Sequence, residues 1–324
     1  MSSTSLTLSC CAAIFFHLPA ALFAAGPYQR VLGPNGAAPA AKYGAKAANE
    51  EAFELQRIPL ASGYSGGLAV DINNRRTVGG VYFKEDGRDV TFLWTKGKDP
   101  VVVKHPAAFL TSVPSISDSG ALFGNWGSLT EQTAGFYYPA SDRWVELPAF
   151  ANKPINIGQR ANNAGVASGY ACDGTFVEPV NCVVWMWDGK EYRTPQLPES
   201  LFAILDGLNE MGQFAGQYLI APPFDYRGFV LDGDMTTVLL PDTKSSAFDV
   251  NNREQVVLNL ETDPNSLFQP AVLADGDVTL LPLVPGAWGT TYSGLNDRGD
   301  YAGFGYDRTA RSIRDSYPVA LLKR

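Results

Sequence analysis

A short motif, usually Asn-Asn or Asn-Asp between two apolar runs, returns six times down this chain. It first stands in "DINNRRTVGG", anchored at Asn73, and then in "ISDSGALFG" at Ser117 and "ANNAGVASG" at Asn162. Further copies are "LNEMGQFAG" at Asn209, "VNNREQVVL" at Asn251 and "LNDRGDYAG" at Asn296. Successive anchors lie 44, 45, 47, 42 and 45 residues apart. A near-constant period in the forties restricts the chain to a propeller or a solenoid.

The interior of each unit separates the two. An apolar run precedes each anchor, as in "GGLAVDI" or "FAILDGL". After the anchor turn comes a second run ("TVGGVYF", "QFAGQYL") and a variable polar loop. A third run follows that is aromatic or β-branched ("VTFLW", "VVWMW", "RGFVL"). A Gly- or Asp-bearing turn ("TKGKD", "WDGKE", "LDGDM") leads to a fourth run that ends on Leu-Pro in several units. Four short strands joined by hairpin turns make one antiparallel blade. Helical periodicity is absent throughout. The sixth unit stops at "YPVALLKR", after its third strand, while an orphan strand "FELQRIPL" stands before the first unit. Its Ile58-Pro59 matches Leu147-Pro148, Leu197-Pro198 and Leu240-Pro241. A solenoid needs caps, whereas a ring is closed when an N-terminal strand completes the last blade. The expected fold is therefore all-β, a six-bladed β-propeller of four-stranded antiparallel blades closed in this way.

A motif required in every blade reads as scaffold rather than as six active sites. Asn tolerates the left-handed conformation and hydrogen-bonds locally, as tight turns require. The recurring Asn and Asp do not take the D-x-[DN]-x-[DN]-G spacing of a calcium loop. The Asp-Gly-Asp triplets at 232–234 and 275–277 fall where hairpin turns are needed.

"DINNRRTVGGVYF…VTFLW", "LNEMGQFAGQY…RGFVL" and "LNDRGDYAGFGY" resemble the HAF repeats of extracellular proteins. The shared features are an Asn-rich turn, a Gly-containing second strand and an "AFLW"-like third strand. The resemblance covers most of residues 61–324 and implies an exported repeat protein. It transfers no catalytic residue.

The first 25 residues read as a signal peptide. An apolar run, "LTLSCCAAIFFHLPAALFAA", exits through small residues before "GPYQR", although no Lys or Arg precedes it; an uncleaved anchor helix is the alternative. Residues 26–50 are rich in Ala, Pro and Gly and read as a flexible leader, so residues 51–324 hold the propeller. Cleavage removes Cys10 and Cys11. Cys172 and Cys182 then bracket "DGTFVEPVN" and are expected to form a disulfide; a redox pair normally has Cys-X-X-Cys spacing. Secretion or a periplasmic location follows. No second long apolar run occurs, so the mature form has no expected membrane-spanning helix. The formal charge is −8 and no Lys/Arg cluster stands out, which argues against a nucleic-acid partner.

Chemistry has few places to sit. The two His, His17 and His105, cannot build a multi-His metal centre, and no nucleophile elbow, phosphate-binding loop or dinucleotide fingerprint occurs. No metal and no cofactor are expected. Function is expected on the loops between second and third strands, which vary while the scaffold repeats. These loops bring Glu85, Asp86, Trp126, Glu131, Tyr218, Asp225, Tyr226, Arg227, Tyr306, Arg308, Arg311 and Arg314 as candidate ligand-binding residues. Carboxylates, aromatics and Arg together suit a glycan or a protein ligand. Two functions stay open: a binding module presenting one propeller face, or a carboxylate-based polysaccharide hydrolase or lyase needing two converging carboxylates about 5–10 Å apart.

Overall fold

The computed structural model describes residues 44–324 apart from 201, 222–224, 262–267, 308 and 311. The expected signal peptide and most of the expected leader lie outside the described residues. The fold is all-β and propeller-like; its only helical pieces among the described residues are three 3-10 turns, Glu50–Ala52, Pro139–Ser141 and Ile313–Asp315.

Two strands precede the first repeat, β1 (Lys46–Ala47) and β2 (Phe53–Arg57). Unit one holds β3 (Gly66–Ile72), β4 (Thr77–Phe83), β5 (Asp89–Thr95) and β6 (Val101–Val103). Unit two holds β7 (Leu110–Ile116), β8 (Leu122–Gly127), β9 (Gln132–Tyr138) and β10 (Arg143–Glu146). Unit three holds β11 (Ile155–Ala161), β12 (Ala167–Gly174), β13 (Pro179–Trp187) and β14 (Tyr192–Arg193). Unit four holds β15 (Phe202–Leu208), β16 (Gln213–Ala221), β17 (Asp225–Asp232) and β18 (Met235–Val238). Unit five holds β19 (Ser245–Val250), β20 (Val256–Glu261), β21 (Phe268–Ala274) and β22 (Asp277–Leu280). Unit six holds β23 (Gly289–Leu295), β24 (Tyr301–Tyr306) and β25 (Tyr317–Lys323).

Hydrogen bonding divides these strands into five sheets rather than the six separate blades expected. Four sheets stand as discrete blades: units one, four, five and six. Units two and three share one eight-stranded sheet, because Ile155 of β11 pairs in parallel with Gln132 of β9. Antiparallel strand β2 pairs with β25 from Phe53↔Lys323 to Arg57↔Val319, so the orphan N-terminal strand does complete unit six. Ile58 extends that pairing through its amide to Pro318 O (2.9 Å) and is buried, as are Leu147 and Leu281 of other Leu-Pro endings. One feature lies in the stretch expected to be leader. Strand β1 adds in parallel to the outer strand β22 of unit five, with Ala45 buried beside it.

The repeat pattern follows from packing. In units one, three and four a glycine of the second strand faces an aromatic directly opposite on the third: Gly80↔Phe92, Gly169↔Trp185 and Gly216↔Phe229. A Cβ on Gly169 would stand 2.3 Å from the Trp185 ring, and one on Gly80 would stand 2.4 Å from Phe92. The glycine is the space that the aromatic ring occupies. Each innermost strand also breaks register near its end, at Ala69/Asp71, Ser112/Ser115, Gly158/Arg160, Leu205/Gly207, Ala247/Asp249 and Tyr292/Gly294. Six equivalent bulges increase the local twist and re-aim the side chains that enter the channel mouth.

Candidate functional site

Alternation of strand direction puts all six anchor turns at one mouth of the channel. The loops between second and third strands, and the links between units, emerge at the opposite face. The candidate ligand-binding residues belong to the latter. Glu85, Asp86 and Glu131 are exposed there. Asp86 is ion-paired to Arg88 within its own hairpin, and this hydrogen-bonded pair holds the Asp86 carboxyl down at about 2. Asp225 and Arg227 likewise pair within one strand, and Arg227 Nε donates to Pro241 O at 2.9 Å. Tyr218 is half-buried against Phe229.

Three expected loop residues are core side chains instead. Trp126, only 3% exposed, stacks on His105 at 5.3 Å and meets Trp144 edge-on at 4.7 Å. Tyr226 is buried, and Tyr306 is buried against Trp288, where burial pushes its hydroxyl up to about 12. The reason is strand phase: Trp126, Tyr226 and Tyr306 lie inside β8, β17 and β24, not beyond their ends. Arg308 and Arg311 lie outside the described residues. Arg314 crosses from unit six to unit one, where it pairs with Asp89 at 2.9 Å and lies 5.0 Å over the Phe83 ring. Burial drives the Asp89 carboxyl up to about 6 against the pull of Arg314. Arg314 therefore reaches the β4–β5 end of unit one, which also carries Glu85 and Asp86. Glu131 sits on unit two and the Asp225–Arg227 pair on unit four, where that ion pair stays within its own strand.

The opposite mouth is more ordered. Asn73, Asn162, Asn209, Asn251 and Asn296 all use their side chains in the same two ways. Each Oδ1 accepts from the amides two and four residues on, as Asn296 does from Arg298 (2.9 Å) and Asp300 (3.0 Å). Each Nδ2 donates to the anchor carbonyl of the next unit: Asn73 to Ser117 (3.0 Å), Asn162 to Asn209 (3.2 Å), Asn209 to Asn251 (3.1 Å), Asn251 to Asn296 (3.1 Å) and Asn296 back to Asn73 (3.0 Å). Only an amide side chain supplies both acceptor and donor at this reach. The expectation that Asn itself turns left-handed is corrected. That conformation falls three residues beyond the anchor, at Arg76, Gly120, Gly165, Gly212, Glu254 and Gly299.

A second ring lies just outside the first, with amides and acids alternating: Asn74, Asp118, Asn163, Glu210, Asn252 and Asp297. Asn74 Nδ2 donates to Asp118 (2.8 Å) and Asp297 (2.9 Å), Asn163 Nδ2 to Glu210 (2.7 Å), and Asn252 Nδ2 to Asp297 (2.8 Å). These rings line an open polar cup. Its wall includes Asp71, Asp249 and Arg160. Asp71 accepts from the Ile72 amide and from Ile116 of the next unit, and Asp249 repeats this with Val250 and Leu295. Arg160 spans the channel and donates to Ser293 O at 2.9 Å and Val70 O at 3.3 Å, which closes the cup. Burial raises the Asp249 carboxyl, and Arg160 opposes that rise. Composition left Arg160 undistinguished among the chain's basic residues. Its one sequence signal is a charge in the innermost strand, two residues before an Asn anchor.

Cys172 and Cys182 are joined as expected and brace the β12–β13 loop. Lys153 ties the same loop through Asp173 (3.0 Å) and Asn181 O (2.8 Å). This loop also shows what polar-residue reasoning missed. Among the described residues, seven of the ten exposed large apolar side chains lie on the loop face: Leu60, Phe109, Leu129, Val177, Val180, Ile220 and Leu283. Phe109, Leu129, Val177 and Val180 are between 44% and 54% exposed. They belong to units two and three, whose loops touch where the Phe176 amide donates to Leu129 O (2.7 Å). The signal available in sequence is the set of apolar residues Phe176, Val177 and Val180 inside a short loop closed by cysteines. Among the described residues no cluster of three or more His, Cys, Asp or Glu could hold a metal ion, and no helix is long and apolar enough to cross a membrane.

No family model matches this chain, and no curated protein matches it. Solved structures share its fold. A gluconolactonase from Xanthomonas campestris superposes with a TM-score of 0.51 at 14% identity, over 90% of this chain and 99% of its own. A virginiamycin B lyase from Staphylococcus aureus, solved with quinupristin, gives 0.51 at 11% identity, over 83% and 99%. At these identities the likeness is one of fold.

Proposed function

We propose that this chain is an exported six-bladed propeller of the HAF-repeat kind, with the eight-stranded sheet counting as two blades, and that it works as an interaction module. Its ligand is a protein bound on the face of the second-to-third-strand loops. The observation that carries this reading is the apolar patch of Phe109, Leu129, Val177 and Val180, half of it on a loop braced by a disulfide. Exposed apolar groups on a loop that cannot collapse onto them favour a partner surface, and the bracing reduces the entropy lost on binding. The disulfide supports an oxidising location. A glycan would call for exposed aromatic platforms, and three of the aromatics expected there are buried. A hydrolase would call for converging carboxylates, and Asp86 and Asp225 are each neutralised within their own loop.

The test is a photo-crosslinking side chain placed at Leu129 or Val177, with Met235 on the opposite face as control, in the exported fraction of the native host. Protein adducts are expected from Leu129 and Val177 and not from Met235. Adducts from Met235 alone would overturn the reading. So would their absence from all three sites together with binding on a glycan array or turnover of a polysaccharide.

A further inference from the structure

The outer edges of the units are not equally closed. In unit one β6 covers three residues of β5; in units six, two, four and five, β2 covers five residues of β25, and β10, β18 and β22 each cover four of their neighbours. In those four units one more amide extends the pairing: Leu147 to Ala134 O (2.8 Å), Leu239 to Gly228 O (2.8 Å), Leu281 to Pro270 O (2.9 Å) and Ile58 to Pro318 O (2.9 Å). Unit three differs. Its third strand β13 is nine residues long, and β14 pairs only with Met186 and Trp187.

Sequence explains the gap. Tyr192 to Leu197 is one residue longer than Arg143 to Leu147, Met235 to Leu239 or Asp277 to Leu281, and the insertion contains Pro195. Leu197 still packs between units, against the same buried cluster of unit four as Val184 and Met186. The extra residue is therefore pushed off the sheet edge. Pro195 has no amide to donate, and Gln196 O instead accepts from Thr236 of unit four (3.4 Å). At the far end of β13, Asn181 adopts a positive φ of 50° and its carbonyl is taken by Lys153. Between these limits, Cys182–Trp185 has no strand on its outer side among the described residues. Cys182, Val183 and Val184 are part-buried, Cys182 and Val184 against apolar clusters, and the bridge from Cys182 to Cys172 on β12 prevents the strand from slipping.

We propose that this open edge of β13 docks an extended segment of a partner polypeptide, which adds to unit three as a further strand. The proposal rests on the reading of the chain as an interaction module and names the mode of binding. A row of outward amides and carbonyls at strand spacing is satisfied by another extended backbone, not by a sugar. Side-chain selectivity would come from the neighbouring Val177 and Val180. A second copy is a poorer occupant: each copy carries a formal charge of −8, and the Asn181 bulge interrupts the flat edge that sheet-to-sheet pairing needs.

Hydrogen exchange on the mature chain tests this. The probe is a capped decapeptide of sequence Lys-Gly-Thr-Val-Lys-Val-Thr-Val-Gly-Lys, compared with the same peptide N-methylated at alternate residues. The unmodified peptide is expected to slow the outward-facing amides of Cys182–Trp185 by about tenfold or more at saturation, and the methylated peptide to leave them unchanged. Deleting Pro195 restores the spacing of the other units. It is expected to slow the same amides without peptide and to abolish the response. The methylated-peptide comparison stands whether or not that variant folds. No slowing, or equal slowing by both peptides, overturns the proposal. So does slowing in the peptide-free mature chain that rises with protein concentration or disappears from a chain beginning at residue 44, because a second copy or the chain's own leader would then fill the edge. If crosslinks form at Leu129 and Val177 while the peptide fails, the edge proposal falls and the interaction-module reading stands. The converse result would place the partner at the edge and overturn the loop face as its site.

Discussion

Asp206 shows how a buried side chain sets a pH limit on this protein. It sits at the register break of β15, 2% exposed, with Oδ2 accepting from Gln217 Nε2 at 2.7 Å. Its Oδ1 is buried without a hydrogen-bond partner among the described residues. Burial pushes this carboxyl up to about 7; the bond from Gln217 and the charge of Arg160 pull the other way. An acid with a raised folded-state pKa is stabilising when protonated. Its contribution is full below the unfolded value near 3.9 and is lost as pH rises through about 7. Asp206→Asn keeps the shape and cannot ionise. It is expected to raise the unfolding free energy at pH 8 by on the order of 2–4 kcal/mol and to change it little at pH 4. Urea titrations at the two pH values measure the difference, and an equal effect at both would remove Asp206 as the source.

The N-terminal strands serve two different sheets, which refines what truncation should do. Removing residues through 47 takes away β1, the parallel pairing at Lys46 and Ala47, and the buried Ala45. Sequence alone makes that segment dispensable, whereas its contact with β22 makes a modest loss the expected result. Removing residues through 60 also takes β2 and the Ile58 that follows it; Phe53 and Leu55 pack on unit six and Ile58 on unit one. Fully burying a side chain such as Ile58 contributes about 1.5–3 kcal/mol, so losing the strand removes a large share of a margin of about 5–15 kcal/mol. Thermal melting should order the chains as intact, then slightly lower without β1, then far lower and aggregating without β2. Equal midpoints for the two truncations would show that β2 does not close the ring.

The ring of Asn side chains ties all the units together and has one gap. Ser117 reproduces the acceptor half of the anchor, taking the Ala121 amide on Oγ at 3.1 Å. It has no amide nitrogen to pass on to Asn162, whereas every other anchor does so to its neighbour. Ser117→Asn is expected to complete the circle and stabilise the protein by about 1 kcal/mol, and Asn296→Ser to open a second gap at a cost of about 1–3 kcal/mol. Differential scanning calorimetry of the two variants should move the midpoint in opposite directions. A fall with Ser117→Asn would mean that units two and three are spaced differently from the rest, as their shared sheet allows.

The repeat period and the strand count in each unit were legible in sequence because each is local, and the borrowed strand was legible as the one strand by which the last repeat falls short of that count. Gly opposite an aromatic, Leu-Pro at a strand end and Asn at a turn report interactions within one unit or between consecutive strands. The disulfide was legible for the same reason, since Cys172 and Cys182 flank one hairpin. What escaped depends on geometry between units. Trp126, Tyr226 and Tyr306 face inward because strand phase, not nearness to a loop, decides burial. The pairing of Ile155 with Gln132 that merges two units needs two strands 23 residues apart to meet edge to edge. Arg160 acquires its role only when the ring brings Val70 and Ser293 opposite it. The last of these is set by the closing of the ring, which places residues from distant repeats within hydrogen-bond reach and which no single repeat encodes.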